Sequence, residues 1–379
     1  MDAGLSFPKR RRPAVRVLIT AASFLQSYGG PAFSVSRLAI ALAERGVDVG
    51  LWAPDGSAVS SPILADDRSL VRLAGDPGAA LNAFGQPDIL HDNGVWRPYN
   101  FAVARLADKQ DIPRIVTTRG MLEPWAMQHR RLKKKLAWTL FQRRDLMRAR
   151  CLHATAGSEA ETLLTYGLGV PVRIVPNGVD QPAADHAASS SRGGERKALF
   201  LSRIHAKKGL PMLVEAWARV RPKGWVLEIA GPDEEGHRAE VEDLVRASGL
   251  GDVVRFIGPV DSAHRSAVYG SAELFVLPTH SENFGMVIGE ALAHGVPVLT
   301  TKGAPWPTLG DRGCGWWVDT TVDGIEEGLR QATACDPATL ARMGARGKDF
   351  VQQEFGWTRV AEQMLGVYEE VLTSRKSAA

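Results

Sequence analysis

The feature that most limits what this chain can fold into is an alternation of strand and helix signals that runs, stops and starts again. VRVLIT (15–20) is a β-branched apolar run of the kind a buried strand needs, followed by a Gly-rich turn, SYGG (27–30). SVSRLAIALAERG (34–46) then places Val35, Leu38 and Leu42 on one helical face and stops at Gly46. VDVGLWAP, DILHDNG and PRIVTTRG supply further strands, and strands separated by helices point to βαβ units and a parallel sheet. PAADHAASSSRGGER (182–196) has no periodicity and reads as a linker or exposed loop. Beyond it the alternation resumes with ALFLSRI, the helix GLPMLVEAWARV, WVLEIAG, VVRFIG, LFVLP, the helix MVIGEALAHG and PVLTT.

The expected organisation is therefore two doubly wound α/β domains, 1–183 and 197–355, joined by a linker at 184–196 and facing each other across a cleft. Ligands of such sheets bind at the carboxyl ends of the strands. A chain of 379 residues exceeds one ordinary core and suits two. A last segment, 356–379, carries the helix FGWTRVAEQMLGVYEEVL, which fits packing on its own domain or crossing back to the first.

Three cysteines without C-x-x-C spacing indicate neither a disulfide framework nor a zinc site, and fit a reducing cytosol. The lead MDAGLSFPKRRRP and the short apolar run after it do not make a secretory signal. No stretch approaches the roughly 20 apolar residues of a membrane span. The net charge of +4 is uneven: between Gln128 and Arg150 nine Lys/Arg face one acidic residue, a local +8 that leaves the rest of the chain at about −4.

Two stretches carry the chemistry. In THSENFGMVIGEALAHGVP (279–297) a strand ends at Pro278, a loop holds Glu282, and a helix is expected to open near Asn283 and Phe284, with Glu290 two turns into it. A helix N-terminus presents free N–H groups and a positive dipole end to a diphosphate. Gly285 leaves the backbone open to close approach. The two carboxylates suit sugar and ribose hydroxyls; spacing alone favours a capping residue and a solvated helical glutamate, and the strand–loop–helix context shifts the balance toward a site. In SRIHAKKGLP (202–211), Arg203, Lys207 and Lys208 are expected to converge on the mouth of the same sheet, where three cations oppose a helix dipole unless an anion is bound. No Asp-x-Asp occurs, so no carboxylate pair for Mg²⁺ is evident, and Arg203, Lys208 and the helix N-terminus would have to neutralise a diphosphate.

The spacing Glu282-x7-Glu290, the R-x4-K-G of Arg203 to Gly209, and PNGVD (176–180) resemble the retaining glycosyltransferase family 4, of GT-B fold. The ordered set ATAGSEAE, VRIVPNGVD, LSRIHAKKG, EIAGP, RFIGPV and SENFGMVIGEALAHGVPV extends the resemblance over nearly the whole chain. It implies that Arg203 and Lys208 bind a donor diphosphate, that Glu282 lies by the donor sugar, and that Glu290 binds the ribose. Asn283, Phe284 and Gly285 would contact sugar and phosphate through their backbone, Met286 and Val287 would lie near the nucleoside, and Gly30 would approach the diphosphate from the other domain. The family's chemistry is a same-face displacement in which the leaving phosphate oxygen helps deprotonate the acceptor, leaving Glu282 as a sugar anchor. The donor is a UDP- or GDP-sugar acting as substrate; no cofactor and no metal are expected.

TTRGMLEPWAMQHRRLKKKLAWTLFQRRDLMRARCLHATA (117–156) resembles the R-G-M-L-E-P-W branch of the family, common among bacterial exopolysaccharide and O-antigen enzymes, and puts Arg119 and Glu123 at the acceptor side. His91 matches the first histidine of a family H-x-H pattern whose second position here is Asn93. His91 is thus a candidate catalytic group or a buried hydrogen-bonded histidine. Leu132, Leu136, Leu140 and Phe141 repeat at helical spacing among the basic residues. Such a helix fits an anionic membrane surface or a solvated basic face. The expected partners are a saccharide acceptor in polyprenyl-diphosphate-linked form and the anionic inner face of the cytoplasmic membrane, without nucleic acid. SYGGPAF is not G-x-G-x-x-G, which argues against an NAD-dependent oxidoreductase. A sugar-nucleotide epimerase and a non-catalytic scaffold of the same fold are the other readings.

Overall fold

A computed structural model describes residues 15–65, 67–182 and 194–378. Two compact units result. The first takes the chain up to Ala154, Thr162–Val175 and Ala361 onward; the second takes Thr155–Glu161 and Pro176–Val360. Of the linker expected at 184–196, residues 184–193 lie outside the described residues, as does the basic lead before Val15.

The first unit is a seven-stranded sheet of β1 (Arg16–Thr20), β2 (Asp48–Trp52), β3 (Val71–Leu73), β4 (Ile89–Asn93), β5 (Arg114–Thr117), β6 (Cys151–Ala154) and β7 (Val172–Ile174). Its order is β3-β2-β1-β4-β5-β6-β7, parallel throughout. Helices cover both faces of a parallel sheet, so its inner strands are apolar on successive residues, and Val17, Leu18 and Ile19 are all buried. The helix Gly30–Glu44 buries Val35, Leu38 and Leu42, the face the spacing predicts.

The second unit is a six-stranded parallel sheet: β8 (Arg196–Leu201), β9 (Trp225–Ala230), β10 (Val254–Gly258), β11 (Leu274–Leu277), β12 (Val298–Thr301) and β13 (Gly315–Val318), in the order β10-β9-β8-β11-β12-β13. Its core is one apolar cluster that includes Phe200, Trp217, Ile229 and Phe275. Each such side chain stabilises the fold by about 1.5–3 kcal/mol on burial. In both sheets the strand order reverses once, between β1 and β4 and between β8 and β11. Those switch points are where doubly wound sheets open a crevice for a ligand.

The final helix, Trp357–Ala378, begins in the second unit, where the Trp357 indole N–H donates to Asp180 at 2.8 Å. From Ala361 on it belongs to the first, burying Ala361, Met364, Val367, Tyr368 and Val371 along one helical stripe. An exposed ion pair, Arg173 Nε to Glu370 at 2.8 Å, adds little to that burial.

Candidate active site

In the second unit the loops leaving β8 and β11 lie on either side of the switch point and touch. Gly209, at φ +70°, makes this contact possible: a Cβ there would sit 2.0 Å from the Pro278 carbonyl oxygen. The His280 N–H donates to the Lys207 carbonyl at 2.8 Å, fastening loop to loop. Lys208, at the end of the short turn Ala206–Lys208, thereby reaches Glu282, with Nζ 2.5 Å from Oε1. The Thr279 hydroxyl donates to the same oxygen at 2.9 Å, and the Glu282 N–H donates to Gly303 at 2.7 Å. Burial pushes the Glu282 carboxyl up, but Lys208, Lys207 and the two hydrogen bonds outweigh it and hold it below the usual carboxylate range. Both side-chain hydrogen bonds fall on Oε1.

Arg203 follows β8 at the same edge but turns to the loop after β9, where Nη1 lies 2.6 Å from each Glu234 oxygen. Of the three cations expected to converge on this mouth, two have a carboxylate of the protein itself as counterion. The protein's own carboxylates, Glu234 and Glu282, already neutralise Arg203 and Lys208.

The following helix is Met286–Ala293, so it opens two to three residues later than expected and Glu290 stands one turn inside it, not two. The reason is Gly285, whose φ of +82° is left-handed and cannot continue into a helix. Phe284 is buried against Trp306 and Phe355, and its carbonyl accepts from the Trp306 indole at 2.6 Å, so its side chain is a core group. The Asn283 amide donates to the Thr155 hydroxyl at 2.7 Å. Met286 and Val287 are half-buried against the core cluster. Glu290 is not a solvated helical glutamate: its Oε2 accepts from the Tyr269 hydroxyl at 2.9 Å and lies 3.1 Å from Arg265 Nε.

The first unit holds its flagged polar residues differently. His91 on β4 is 0% exposed, with Nδ1 2.8 Å from the Tyr368 hydroxyl and Nε2 2.7 Å from the Thr117 hydroxyl. Thr117 in turn lies 2.7 Å from His153 Nδ1, and His153 Nε2 lies 2.8 Å from the Val175 carbonyl. A carbonyl only accepts, so His153 carries its proton on Nε2, and every other direction follows. Tyr368 donates to His91, His91 to Thr117, and Thr117 to His153. Burial first, then neighbouring charge, holds His91 well below the usual histidine range and His153 at about 3, so both rings are neutral. The candidate catalytic reading of His91 meets a physical obstacle: no ring atom reaches solvent and both nitrogens are engaged.

Asn93 is also buried; its Oδ1 accepts from Arg119 Nε at 3.0 Å and Nη2 at 2.6 Å, and its amide donates to the Thr20 carbonyl at 3.1 Å. Arg119 itself adopts φ +53°. Glu123 precedes the helix Pro124–Gln128 and accepts from the Thr162 hydroxyl at 3.2 Å. Gly30 is the first residue of its helix, and the positive φ of that turn, +82°, falls on Gly29. A cavity of about 390 Å³ opens at the β1/β4 switch point, lined by Ser23, Tyr28, Asp55, Arg97 and Tyr99 among others. In the basic segment Leu132, Leu136 and Leu140 are 84%, 62% and 66% exposed. The segment is anchored by Trp138, whose ring lies 4.7 Å from that of Tyr166 at a tilt of 45°, and by Gln142, which accepts from the Trp96 backbone N–H at 2.9 Å.

Sequence reasoning did not single out Glu234, Arg265, Tyr269, Thr279, Asp55 or Arg97. Position after a strand was the available signal for Glu234, Thr279 and Asp55; nothing in the sequence pairs Arg265 or Tyr269 with Glu290. Among the described residues no group of three His, Cys, Asp or Glu side chains is placed to hold a metal ion, and no helix is long and apolar enough to cross a membrane.

The chain matches the family description "Glycosyl transferase 4-like domain" over residues 29–178 and "Glycosyl transferases group 1" over residues 183–350. It belongs to the family 4 glycosyltransferases, enzymes of GT-B fold that transfer a sugar from a nucleotide-sugar with retention. A D-inositol 3-phosphate glycosyltransferase of Kineococcus radiotolerans is 29% identical, over 92% of this chain and 92% of that one. Sucrose-phosphate synthase from Thermosynechococcus elongatus has the same fold, with a TM-score of 0.77, 22% identity, and coverage of 95% of this chain and 100% of that one. Anabaena HepE, solved in complex with UDP and glucose, has a TM-score of 0.71 at 17% identity, covering 94% and 100%. Membership in the family sets aside the oxidoreductase, epimerase and scaffold readings.

Proposed function

We propose that this enzyme moves a hexosyl unit from a UDP- or GDP-sugar to a lipid-linked saccharide in cell-surface polysaccharide biosynthesis. The observation that carries the donor half is the Lys208–Glu282 pair at the β8/β11 switch point. The ammonium has further N–H donors and the carboxylate a second oxygen, so the pair offers a cation to a diphosphate and an acceptor to a sugar hydroxyl side by side. Arg203 and the N-terminus of the helix Met286–Ala293 would add to the neutralisation of the leaving group. Glu290 would accept from the ribose hydroxyls. In the displacement the bond from the anomeric carbon to the phosphate oxygen breaks and a bond to the acceptor oxygen forms on the same face. The acceptor proton passes to the departing phosphate.

UDP is the first nucleotide to try, because HepE was solved with UDP and glucose. The test is thermal unfolding with UDP, GDP, ADP and NAD, each with EDTA and with Mg²⁺. A ligand at 100 times its Kd adds about 2.7 kcal/mol, a shift of a few degrees. A shift with UDP or GDP that survives EDTA supports a diphosphate site served by protein cations; a shift that needs Mg²⁺ overturns that neutralisation; no shift with either removes the donor assignment.

For the acceptor, the cavity at the β1/β4 switch point combines Arg97, Asp55 and two tyrosines, a set suited to a charged, hydroxylated saccharide. The exposed Leu132, Leu136 and Leu140 among basic residues support docking on an anionic lipid surface. Vesicle flotation is expected to recover the protein with anionic but not neutral vesicles, less so at high salt, and to fail when the three leucines are serine. Equal recovery with both vesicles would sink the lipid assignment.

A further inference from the structure

Glu290 is held more firmly than a one-turn helical glutamate requires. The helix Ser262–Gly270, which follows β10, presents Arg265, Ser266 and Tyr269 to the helix that carries Glu290. Tyr269 is fully buried and donates to Glu290 Oε2 at 2.9 Å; Arg265 Nε lies 3.1 Å from that same oxygen as an ion pair, without hydrogen-bond geometry. Burial works against the Arg265 charge, but Glu290 and Tyr269 more than offset it and raise its pKa. One turn further on, His294 Nδ1 lies 2.7 Å from the Glu290 carbonyl and Nε2 lies 3.1 Å from the Ser266 hydroxyl. The carbonyl accepts only, so Nδ1 carries a proton and donates to it. The imidazole stacks on Tyr269, with ring centres 4.9 Å apart and planes 25° apart.

The side-chain hydrogen bond on the carboxylate and the nearest approach of Arg265 therefore both fall on Oε2. Oε1 accepts no hydrogen bond among the described residues, and the side chain keeps 15% of its surface open. A free glutamate on a helix surface samples several rotamers, and fixing one costs entropy at the moment a ligand binds. Here two partners have fixed it beforehand, with one oxygen occupied and the other presented. An oxygen with both lone pairs free accepts from two neighbouring hydroxyls at once.

We propose that Arg265 and Tyr269 are positioning residues that aim Glu290 Oε1 at the vicinal diol of the nucleotide, and so make the enzyme select ribose over deoxyribose. The proposal rests on the donor-site reading given above. The closest analogue is a site built to hydrogen-bond a substrate hydroxyl, which rejects the ligand lacking it because a polar group is then left unpaired.

The experiment is calorimetric binding of UDP and 2′-deoxy-UDP (GDP and 2′-deoxy-GDP if guanine is the base) to the full chain and to Tyr269→Phe, Arg265→Lys and Glu290→Gln. The wild type is expected to prefer the ribonucleotide by on the order of tenfold. Tyr269→Phe keeps the ring packing and removes the hydroxyl that donates to Glu290 Oε2 and, at 3.4 Å, to the Val287 carbonyl, and should bring the ratio toward unity mainly by weakening UDP. Arg265→Lys should act in the same direction, and supplies the test if the tyrosine variant does not fold. A ratio unchanged in a folded variant, or equal losses for both nucleotides, overturns the positioning role. A wild type that binds UDP without preferring it overturns the inference and leaves the donor site standing. Failure of every nucleotide to bind overturns the donor-site reading itself.

Discussion

The two units share a parallel, doubly wound sheet, yet their polar residues are used in opposite ways. In the first, His91, Thr117, His153 and Tyr368 form a closed relay in which each donor meets an acceptor. Asn93 and Arg119 likewise occupy one another. In the second, Lys208, Glu282 and Glu290 are each fixed through part of the group while another part stays open. A residue type does not announce which use it serves; the number of partners around it does. A saturated polar group in a core gives a fixed geometry, whereas a half-saturated one at a strand end is poised for a ligand.

The largest expected effect separates the two uses. Lys208→Ala should lower kcat/KM by about 10²-fold or more, the usual loss when a group stabilising developing charge is removed. A kcat/KM within threefold of wild type would place the diphosphate elsewhere. His91→Phe should do the reverse, reducing stability by about 2–4 kcal/mol because the Tyr368 and Thr117 hydroxyls lose a buried partner. Turnover below the melting transition should stay close to wild type. Loss of turnover at an unchanged melting temperature would restore a chemical role to His91.

A smaller effect follows from the titration of the first core. His91 and His153 are neutral in the fold, with His153 at about 3, while an unfolded histidine titrates near 6.5. Their contribution is complete above 6.5 and lost as pH falls from there toward 3. Asp92 opposes them. Burial, partly offset by Arg114 and by hydrogen bonds from Thr20 and Asn100, pushes it up to about 7. Its contribution is complete below about 4 and lost as pH rises through 7. Asp92→Asn removes the opposing group, so the fall in Tm between pH 7 and pH 4 should be steeper in the variant; an equal or shallower fall would disprove the opposition. The smallest effect is at the surface. Glu234→Gln frees Arg203 from an exposed ion pair, and an exposed pair contributes about 0.2–1 kcal/mol. UDP affinity should therefore rise by no more than about fivefold; weaker binding would mean that Glu234 itself helps hold the nucleotide.

The inner strands of both sheets were legible because burial on both faces forces unbroken apolar runs, as in VRVLIT and LFVLP. β3 and β7 give no strand signal in the sequence: they are three-residue edge strands with exposed positions, and burial imposes little pattern there. β6, CLHA, hides its histidine in the relay, and β13 opens on a glycine that packs against Val298, so neither presents an ordinary strand signature. The sequence pattern starts the helix at Met286 two to three residues too soon, because a left-handed Gly285 is invisible in a list of residue types.

By itself, then, the sequence determined the class: two βαβ runs, a Lys208 and a Glu282 each set just past a strand end, and a glutamate eight residues on. Local patterns carry that much because burial periodicity and strand–loop–helix order are properties of neighbours along the chain. Only the tertiary structure decided which polar groups are closed and which are open. Glu234 comes to Arg203 from the loop after β9, Arg265 and Tyr269 come to Glu290 from another helix, and Tyr368 comes to His91 from 277 residues away. Hydrogen-bond saturation depends on partners brought together by folding, and no spacing rule within a segment contains it.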